Sequence, residues 1–299
     1  MSTGELRMRL TTGRLKSLIL EVLEEEQFNE AKMGDFCFEA EDEGGSHRST
    51  HELRTCKMGD DQYFLKFSDS WEFANPSHKS LQIGVEYLAY KIYELYPSNI
   101  PEKIHVVSDP EQKRIGLATS AVAGKAGNQL RYEFPADKWV KSISGGAMVD
   151  VFLANWDVGN TANFIVDKDT AKATRVDPGG SLTFRARGSK KIDRATGGPG
   201  FKPDAPELDT MMNPKRQGAG WLLSQVDMKQ ACEAFLSVDW PSIGGAIEEA
   251  FGDVAEELRN AGLEDQISDW QAEVVEITQT LKSRHNVVKQ HCEFALQSM

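Results

Sequence analysis

A helical stripe of apolar residues that follows a run of short strands constrains the fold of this chain more than any other feature. The spacing i, i+3, i+4, i+7 between residues 80 and 96 predicts a helix. The preceding segments 35–41, 51–57 and 62–67 are strand-like and are separated by polar, glycine-bearing turns, which predicts three antiparallel strands. The stripe consists of Val85, Leu88, Ala89, Ile92, Leu95 and Tyr96.

The remainder of the chain is more helical. Strands are expected over 102–108, 114–122, 164–166 and 173–176, and helices over 145–156, 244–261 and 265–298, the last broken at most once. Segment 183–206 is rich in Gly, Pro, Lys and Arg and has no periodicity, which predicts a long functional or mobile loop. Near the N-terminus, spaced apolar residues predict a further amphipathic helix over 13–30.

Charge and composition exclude several classes of protein. The net charge of −12 disfavours binding to nucleic acid or to anionic membranes, because like charges repel. No stretch reaches the roughly 20 apolar residues that span a bilayer, and the four cysteines form neither a zinc motif nor a disulfide framework. We therefore expect a cytoplasmic protein, or one delivered into another cell, with no nucleic-acid partner and no membrane insertion.

The first half of the chain carries residues suited to binding a nucleotide. Phosphoryl transfer from ATP needs a cover over the phosphates and a fixed cation, as well as metal ligands and a proton acceptor. Gly44, Gly45 and Ser46 lie at a turn, where small residues let backbone N–H groups approach phosphates. Lys66 interrupts an apolar strand, and Glu86 on the next helix can pair with it. Taken singly, these features also fit an ordinary turn and solvated charges.

The second half adds an acid–amide pair and an acidic turn. Asp157 follows the apolar helix, Asn163 precedes a strand, and Asp177 lies fourteen residues further on in a Val-Asp-Pro-Gly-Gly turn. Oxygen ligands of this kind suit Mg²⁺, which takes one or two carboxylates together with phosphate oxygens. The alternative is that all three residues cap helices and turns, but this requires a separate explanation for each.

These segments resemble the protein-kinase-like fold, in the branch shared by HipA-type toxin kinases and phosphoinositide-type kinases. The resemblance is carried by residues 85–93 with Ile100-Pro101-Glu102, by 115–124, by Asn155-x-Asp157 to Asn163-Phe164, and by Val176-Asp177-x-Gly179. Segment 175–186 also looks like bacterial effector- and phage-associated kinase-like proteins. The likeness covers residues 35–185 well and the last hundred poorly.

The resemblance implies an α+β, bilobal protein-kinase-like fold with a small antiparallel-sheet N-lobe and a larger helical C-lobe. The expected division is a tail and amphipathic helix at 1–34, an N-lobe at 35–124 and a C-lobe at 125–299. The implied activity is that of an ATP- and Mg²⁺-dependent kinase, expected to phosphorylate Ser/Thr groups of a protein substrate as a toxin or effector.

The resemblance also implies roles for individual residues. Lys66 would contact the α- and β-phosphates with Glu86 orienting it, and Asp157 would be the catalytic aspartate. The implied metal ligands are Asn163 and Asp177, with Asn160 sharing the role of Asn163 because the aspartate-to-asparagine spacing is six residues against the family's usual five. The implied nucleotide-binding residues are Gly44, Gly45, Ser46, Lys66 and Thr119, with adenine bound by backbone groups near 117–124.

Three alternatives stay open. A pseudokinase would bind nucleotide and hold a partner without transferring phosphate, and a small-molecule kinase would use another acceptor. A helix-rich interaction protein would instead dock a partner through its C-terminal helices, with Val274, Ile277 and Leu281 in the contact.

Overall fold

The computed structural model describes residues 52–58, 61–67, 76–185, 189–193, 195–215 and 218–299. The expected N-terminal tail and helix, the strand at 35–41 and the turn with Gly44, Gly45 and Ser46 lie outside these residues. All described residues belong to one compact unit.

A four-stranded antiparallel sheet occupies the first part of the described chain. Its strands are β1 (Glu52–Met58), β2 (Asp61–Phe67), β3 (Ile104–Asp109) and β4 (Arg114–Ser120), in the order β1-β2-β4-β3. The four strands predicted here are confirmed to within two residues at each end.

Helix α1 (Pro76–Glu94) connects β2 to β3 and confirms the helix predicted over 80–96, although it begins four residues earlier. It is more deeply buried than a one-sided stripe requires. The reason is a second set of neighbours: a Cβ added at Gly84 would lie 3.0 Å from the ring of Trp270 and 3.2 Å from Val254. Tyr87 donates a hydrogen bond of 2.5 Å to Asp253 on the same side. The helix therefore packs against the C-terminal helices as well as the sheet.

The second sheet is smaller and also antiparallel. It contains β5 (Lys125–Ala126), β6 (Phe164–Asp167) and β7 (Lys172–Arg175) in the order β5-β6-β7, so the predicted hairpin is confirmed. Helix α2 (Ala147–Phe152) is shorter than the helix predicted over 145–156. It ends early because Ala154 adopts a positive φ of 54°, which an α-helix cannot continue through.

The C-terminal part of the described chain is helical. It contains α3 (Glu207–Thr210), α4 (Ala219–Leu223), α5 (Met228–Leu236), α6 (Trp240–Asn260) and α7 (Ile267–Ser298). Helix α7 runs unbroken for 32 residues. The described part of the chain is therefore mixed α+β, with two small antiparallel sheets and a helical C-terminal part. In the described part of the chain, no helix combines the length and apolar character that crossing a membrane requires.

The apolar stripe of α7 belongs to the core. Val274, Ile277 and Leu281 are at most 2% exposed, so the expectation that they dock a partner is wrong for these three residues. Periodicity identifies a face that must be covered, but a single sequence does not say whether the same chain or another molecule covers it.

Candidate active site

Lys66 lies on the less covered face of β2. Tyr63, Leu65 and Phe67 alternate onto the opposite face and are buried, whereas Phe64, on the same face as Lys66, is 42% exposed. The Lys66 side chain is nevertheless only 9% exposed. It is covered because two carboxylates from distant segments converge on its ammonium group.

The two carboxylates belong to Glu86 and Asp177. Lys66 Nζ lies 2.6 Å from Glu86 Oε2 on α1 and 2.7 Å from Asp177 Oδ1, which follows β7. Burial raises the pKa of Glu86 to about 7, even though Lys66 opposes this effect. Burial alone would lower the pKa of Lys66, but Asp177 and Glu86 together raise it. The lysine is thus a fixed cation at neutral pH.

The backbone holds Asp177 in an uncommon conformation. Its φ is +56°, a region that aspartate tolerates better than most residues. The Tyr90 hydroxyl on α1 accepts a 2.9 Å hydrogen bond from the Asp177 N–H. Helix α1 therefore contacts the turn twice, through Tyr90 and through the Lys66 partner Glu86.

A buried ion pair anchors the same turn from the other side, and sequence reasoning missed it. Arg175 Nη2 lies 2.7 Å from Asp150 Oδ2 of α2, and both side chains are at most 3% exposed. Asp150 also accepts a 2.6 Å hydrogen bond from Tyr93. Arg175 donates a 2.7 Å hydrogen bond to the carbonyl of Ser98. An aspartate within an apolar helix and an arginine two residues before Asp177 were the available signals.

The loop after α2 brings Asp157, Asn160 and Asn163 together. The Asn163 amide donates to the Asp157 carbonyl at 3.3 Å, and the Asn160 amide donates to Asn163 Oδ1 at 3.3 Å. The two asparagines are thus in direct contact, as their shared role would require. Their amide orientations follow from this network.

The Asp157 carboxylate lies against the turn that carries Asp177. A Cβ added at Gly180 would come within 2.3 Å of Asp157 Oδ2, and one at Gly179 would lie 3.0 Å from both Asp177 Oδ1 and Glu86 Oε2. Asp157 Oδ2 is buried and accepts no hydrogen bond from the described residues. Burial, followed by repulsion from Asp177, raises the pKa of Asp157. The paired glycines are therefore what lets the carboxylates approach one another.

Two further basic residues from outside the predicted site support this loop. Arg284 on α7 donates two hydrogen bonds to the end of α2, one of 2.6 Å to the carbonyl of Val151 and one of 2.7 Å to the carbonyl of Phe152. Lys191 donates a 2.7 Å hydrogen bond to the carbonyl of Ala154, and burial lowers the pKa of Lys191 to about 7. Both lie far along the sequence from this loop, and no local pattern points to either contact.

The described residues fit a bound Mg²⁺. The Glu86 and Asp177 carboxylates contact the Lys66 ammonium, and the Asp157 carboxylate interacts electrostatically with Asp177 and Lys66, which leaves an excess of negative charge. Asp157 Oδ2 has no hydrogen-bond partner among the described residues. Asp177 and Asn163 offer oxygen ligands. No group of three or more His, Cys, Asp or Glu in the described ranges is arranged to hold a metal ion. Any Mg²⁺ here would take its other ligands from phosphate or water.

The predicted adenine segment lies along the same face of the first sheet. Thr119 on β4 pairs with Phe64, just as Leu117 pairs with Lys66, so Thr119 and Lys66 share a face. The Ser120 N–H donates to the Lys103 carbonyl and the Ala121 N–H to the Gln62 carbonyl, both at 2.8 Å. These two N–H groups are therefore already satisfied and are not free to donate a hydrogen bond to adenine.

No protein-family model matches this chain, and no curated protein sequence matches it. The crystal structure of the proinflammatory kinase CtkA from Helicobacter pylori is similar to it, with 13% sequence identity and a TM-score of 0.44, over 83% of this chain and 95% of that chain. A likeness this distant carries no inference about function.

Proposed function

We propose that this protein is an ATP- and Mg²⁺-dependent phosphotransferase with a two-lobed, kinase-like arrangement. One observation carries the proposal: the Lys66 ammonium lies within 2.7 Å of two carboxylates, Glu86 and Asp177, that are 20 and 111 residues away in sequence. A buried lysine held between acids from separate elements is a positive charge fixed at one point, and the surplus carboxylates beside it suit a divalent cation. A fixed cation together with Mg²⁺ is the combination that phosphoryl transfer from ATP needs.

Each residue then has a definite task. Lys66 holds the phosphates that are not transferred, and Glu86 keeps its side chain in position. Asp177 and Asn163 hold the metal, which when bound neutralises charge on the phosphate oxygens. Asp157 accepts the proton of the acceptor hydroxyl, and its raised pKa brings it closer to neutral pH, where a general base is most effective.

The proposal extends to serine and threonine of a protein as acceptors, and to a toxin or effector role in the HipA-type branch. The resemblance of residues 85–93, 155–164 and 176–179 supports these finer statements. Mapping of phosphosites after transfer to a protein substrate tests the acceptor. Growth arrest on expression of the wild type, absent with Asp177→Asn, tests the toxin role.

Thermal denaturation with a panel of nucleotides, with and without Mg²⁺, followed by a γ-phosphate transfer assay, tests the activity itself. We expect ATP with Mg²⁺ to raise the melting temperature and transfer to be lost in Asp157→Asn. Asp169→Asn, a change in an exposed turn, is the matched control. Binding without transfer would instead identify a nucleotide-binding module, and no nucleotide binding would leave a purely structural interaction protein.

A further inference from the structure

An open cavity of about 800 Å³ adjoins the loop that carries Asp157 and Asn163. This size is within the usual range for ligand sites. Its walls come from three segments: residues 127–136, the loop itself through Gly159 and Thr161, and residues 214–221. The cavity is therefore built on the proposed catalytic loop.

Glycines bring the two outer walls close to the loop. A Cβ at Gly159 would lie 2.3 Å from the backbone nitrogen of Ala219, and a Cβ at Gly127 would lie 2.7 Å from the carbonyl oxygen of Thr161. The position of the cavity relative to Asp157 is thus fixed by backbone packing. A molecule bound there contacts the loop at Gly159 and Thr161, two and four residues after Asp157.

The charge of the cavity is opposite to that of the whole protein. The chain carries a net charge of −12, yet the charged residues among the described lining are Arg131 and Lys215, and none of that lining is acidic. Both cations are exposed, and neither forms an ion pair with another described residue. A cationic surface within an acidic protein attracts an anionic ligand.

Two other lysines, Lys190 and Lys191, are less available for an anionic ligand than Arg131 and Lys215 are. Lys190 is paired with Glu273 at 2.5 Å, and Lys191 donates to the backbone carbonyl of Ala154. These two lysines are already engaged within the protein. Arg131 and Lys215 are therefore the better candidates for contact with an anionic acceptor.

The cavity also has apolar surface at its open rim. Trp221 is 48% exposed, and Pro135 and Pro214 are exposed beside it. An indole of this kind packs against side chains and backbone alike. An open rim with cations and an aromatic residue suits an extended polypeptide better than a small molecule enclosed on all sides.

We propose that this cavity binds the acceptor as a peptide segment with an acidic side chain close to the hydroxyl that is phosphorylated. Arg131 and Lys215 contact the carboxylate, and Trp221 packs on the neighbouring residues. The inference rests on the proposed function and adds the class of substrate: acidic rather than basic protein segments.

Three serine peptides that differ only in a flanking Glu, Gln or Lys test the preference in a transfer assay. We expect the Glu peptide to have the highest kcat/KM, and the double variant Arg131→Glu with Lys215→Glu to favour the Lys peptide. Each cation is expected to contribute about 2- to 5-fold, and less at high salt. Lys229→Glu, which makes the same charge reversal as each single substitution but at an exposed site on α5, should leave the order unchanged. Transfer with no such preference, or a preference that survives the double variant, would overturn the inference but leave the proposed function intact.

A direct binding measurement tests the inference independently of phosphate transfer. A fluorescein-labelled Glu peptide is titrated into Asp157→Asn, and its anisotropy is compared with that of the same variant carrying Arg131→Glu and Lys215→Glu. Weaker binding with the added substitutions supports the inference even if no transfer is ever detected. Equal binding contradicts it, as does full displacement of the peptide by millimolar inorganic phosphate, which would indicate a site for a small anion.

Discussion

Two ion clusters lie on either side of Val176, and they differ in how completely their charges are satisfied. In the first, Arg175 and Asp150 are both buried, and their polar atoms are shared with Tyr93, Ser98 and neighbouring backbone groups. In the second, Lys66 holds Glu86 and Asp177, the Asp177 side chain is 48% exposed, and Asp157 beside it keeps an orphaned oxygen.

The difference suggests a structural role for the Arg175–Asp150 pair and a functional role for the Lys66 cluster. Removing either partner of a buried, fully hydrogen-bonded ion pair lowers the stability of the fold, so such a pair is suited to holding the turn in place. A cluster with more carboxylates than cations and one exposed member can exchange partners when an anion or a metal arrives. Two residues along a single backbone thus separate a fully paired, buried ion pair from the cluster that we propose to be the active site.

The largest expected effect on stability comes from breaking the Arg175–Asp150 ion pair. Asp150→Ala leaves Arg175 buried without its carboxylate and removes the acceptor of Tyr93, so we expect a loss of about 3–5 kcal/mol in the free energy of unfolding. Urea denaturation measures this. Asp177→Asn, at the exposed end of the other cluster, is the comparison and should cost about 1 kcal/mol or less. Equal losses would show that the two clusters do not differ.

The second prediction concerns the same Asp177→Asn variant and the transfer rate. Asparagine also tolerates a positive φ, so the turn should persist while the carboxylate charge is lost. We expect kcat to fall on the order of 10²–10³-fold, as when a group that stabilises transition-state charge is removed. Single-turnover transfer of the γ-phosphate measures it. Wild-type turnover in this variant would contradict the proposed role of Asp177 as a metal ligand.

Most elements of the described fold could be predicted from local pattern, because alternation and helical spacing are properties of adjacent residues. Lys66 stood out for the same reason, as a charge within an apolar strand. The contacts that hold the site could not be predicted: Arg284 reaches the carbonyl of Val151 across 133 residues, and no sequence pattern marks the hydroxyl of Tyr90, which lies outside the apolar stripe of α1. Single-sequence patterns describe faces, whereas these contacts depend on which faces meet.

The third prediction tests whether close approach, and not charge alone, makes the second cluster reactive. Gly180→Ala places a methyl group 2.3 Å from the present position of Asp157 Oδ2, so the carboxylate must move. A displacement of about 1 Å in a reacting group lowers rates by up to about 10²-fold. Gly198→Ala is the matched control, since its Cβ would lie 3.4 Å from its nearest neighbour, an ordinary contact. Equal transfer rates in the two variants would contradict the role of Gly180.

The last prediction concerns the pH dependence of stability in the Glu86→Gln variant. The pKa of Glu86 is about 7 in the folded protein against an ordinary 4.5, chiefly because the side chain is buried. Between these values the folded state binds a proton that the unfolded state has lost, so the free energy of unfolding falls as the pH rises from about 4.5 to about 7.

Glutamine cannot titrate, so the variant should lack this contribution, which amounts to at most about 1.4 kcal/mol for each pH unit. Urea denaturation of both proteins from pH 4.5 to 8 measures the difference between their curves, which cancels the titration of other groups. The difference should grow in favour of the variant up to about pH 7 and then level off. Parallel curves would mean that Glu86 is charged throughout this range, and that the second cluster is as fully compensated as the first.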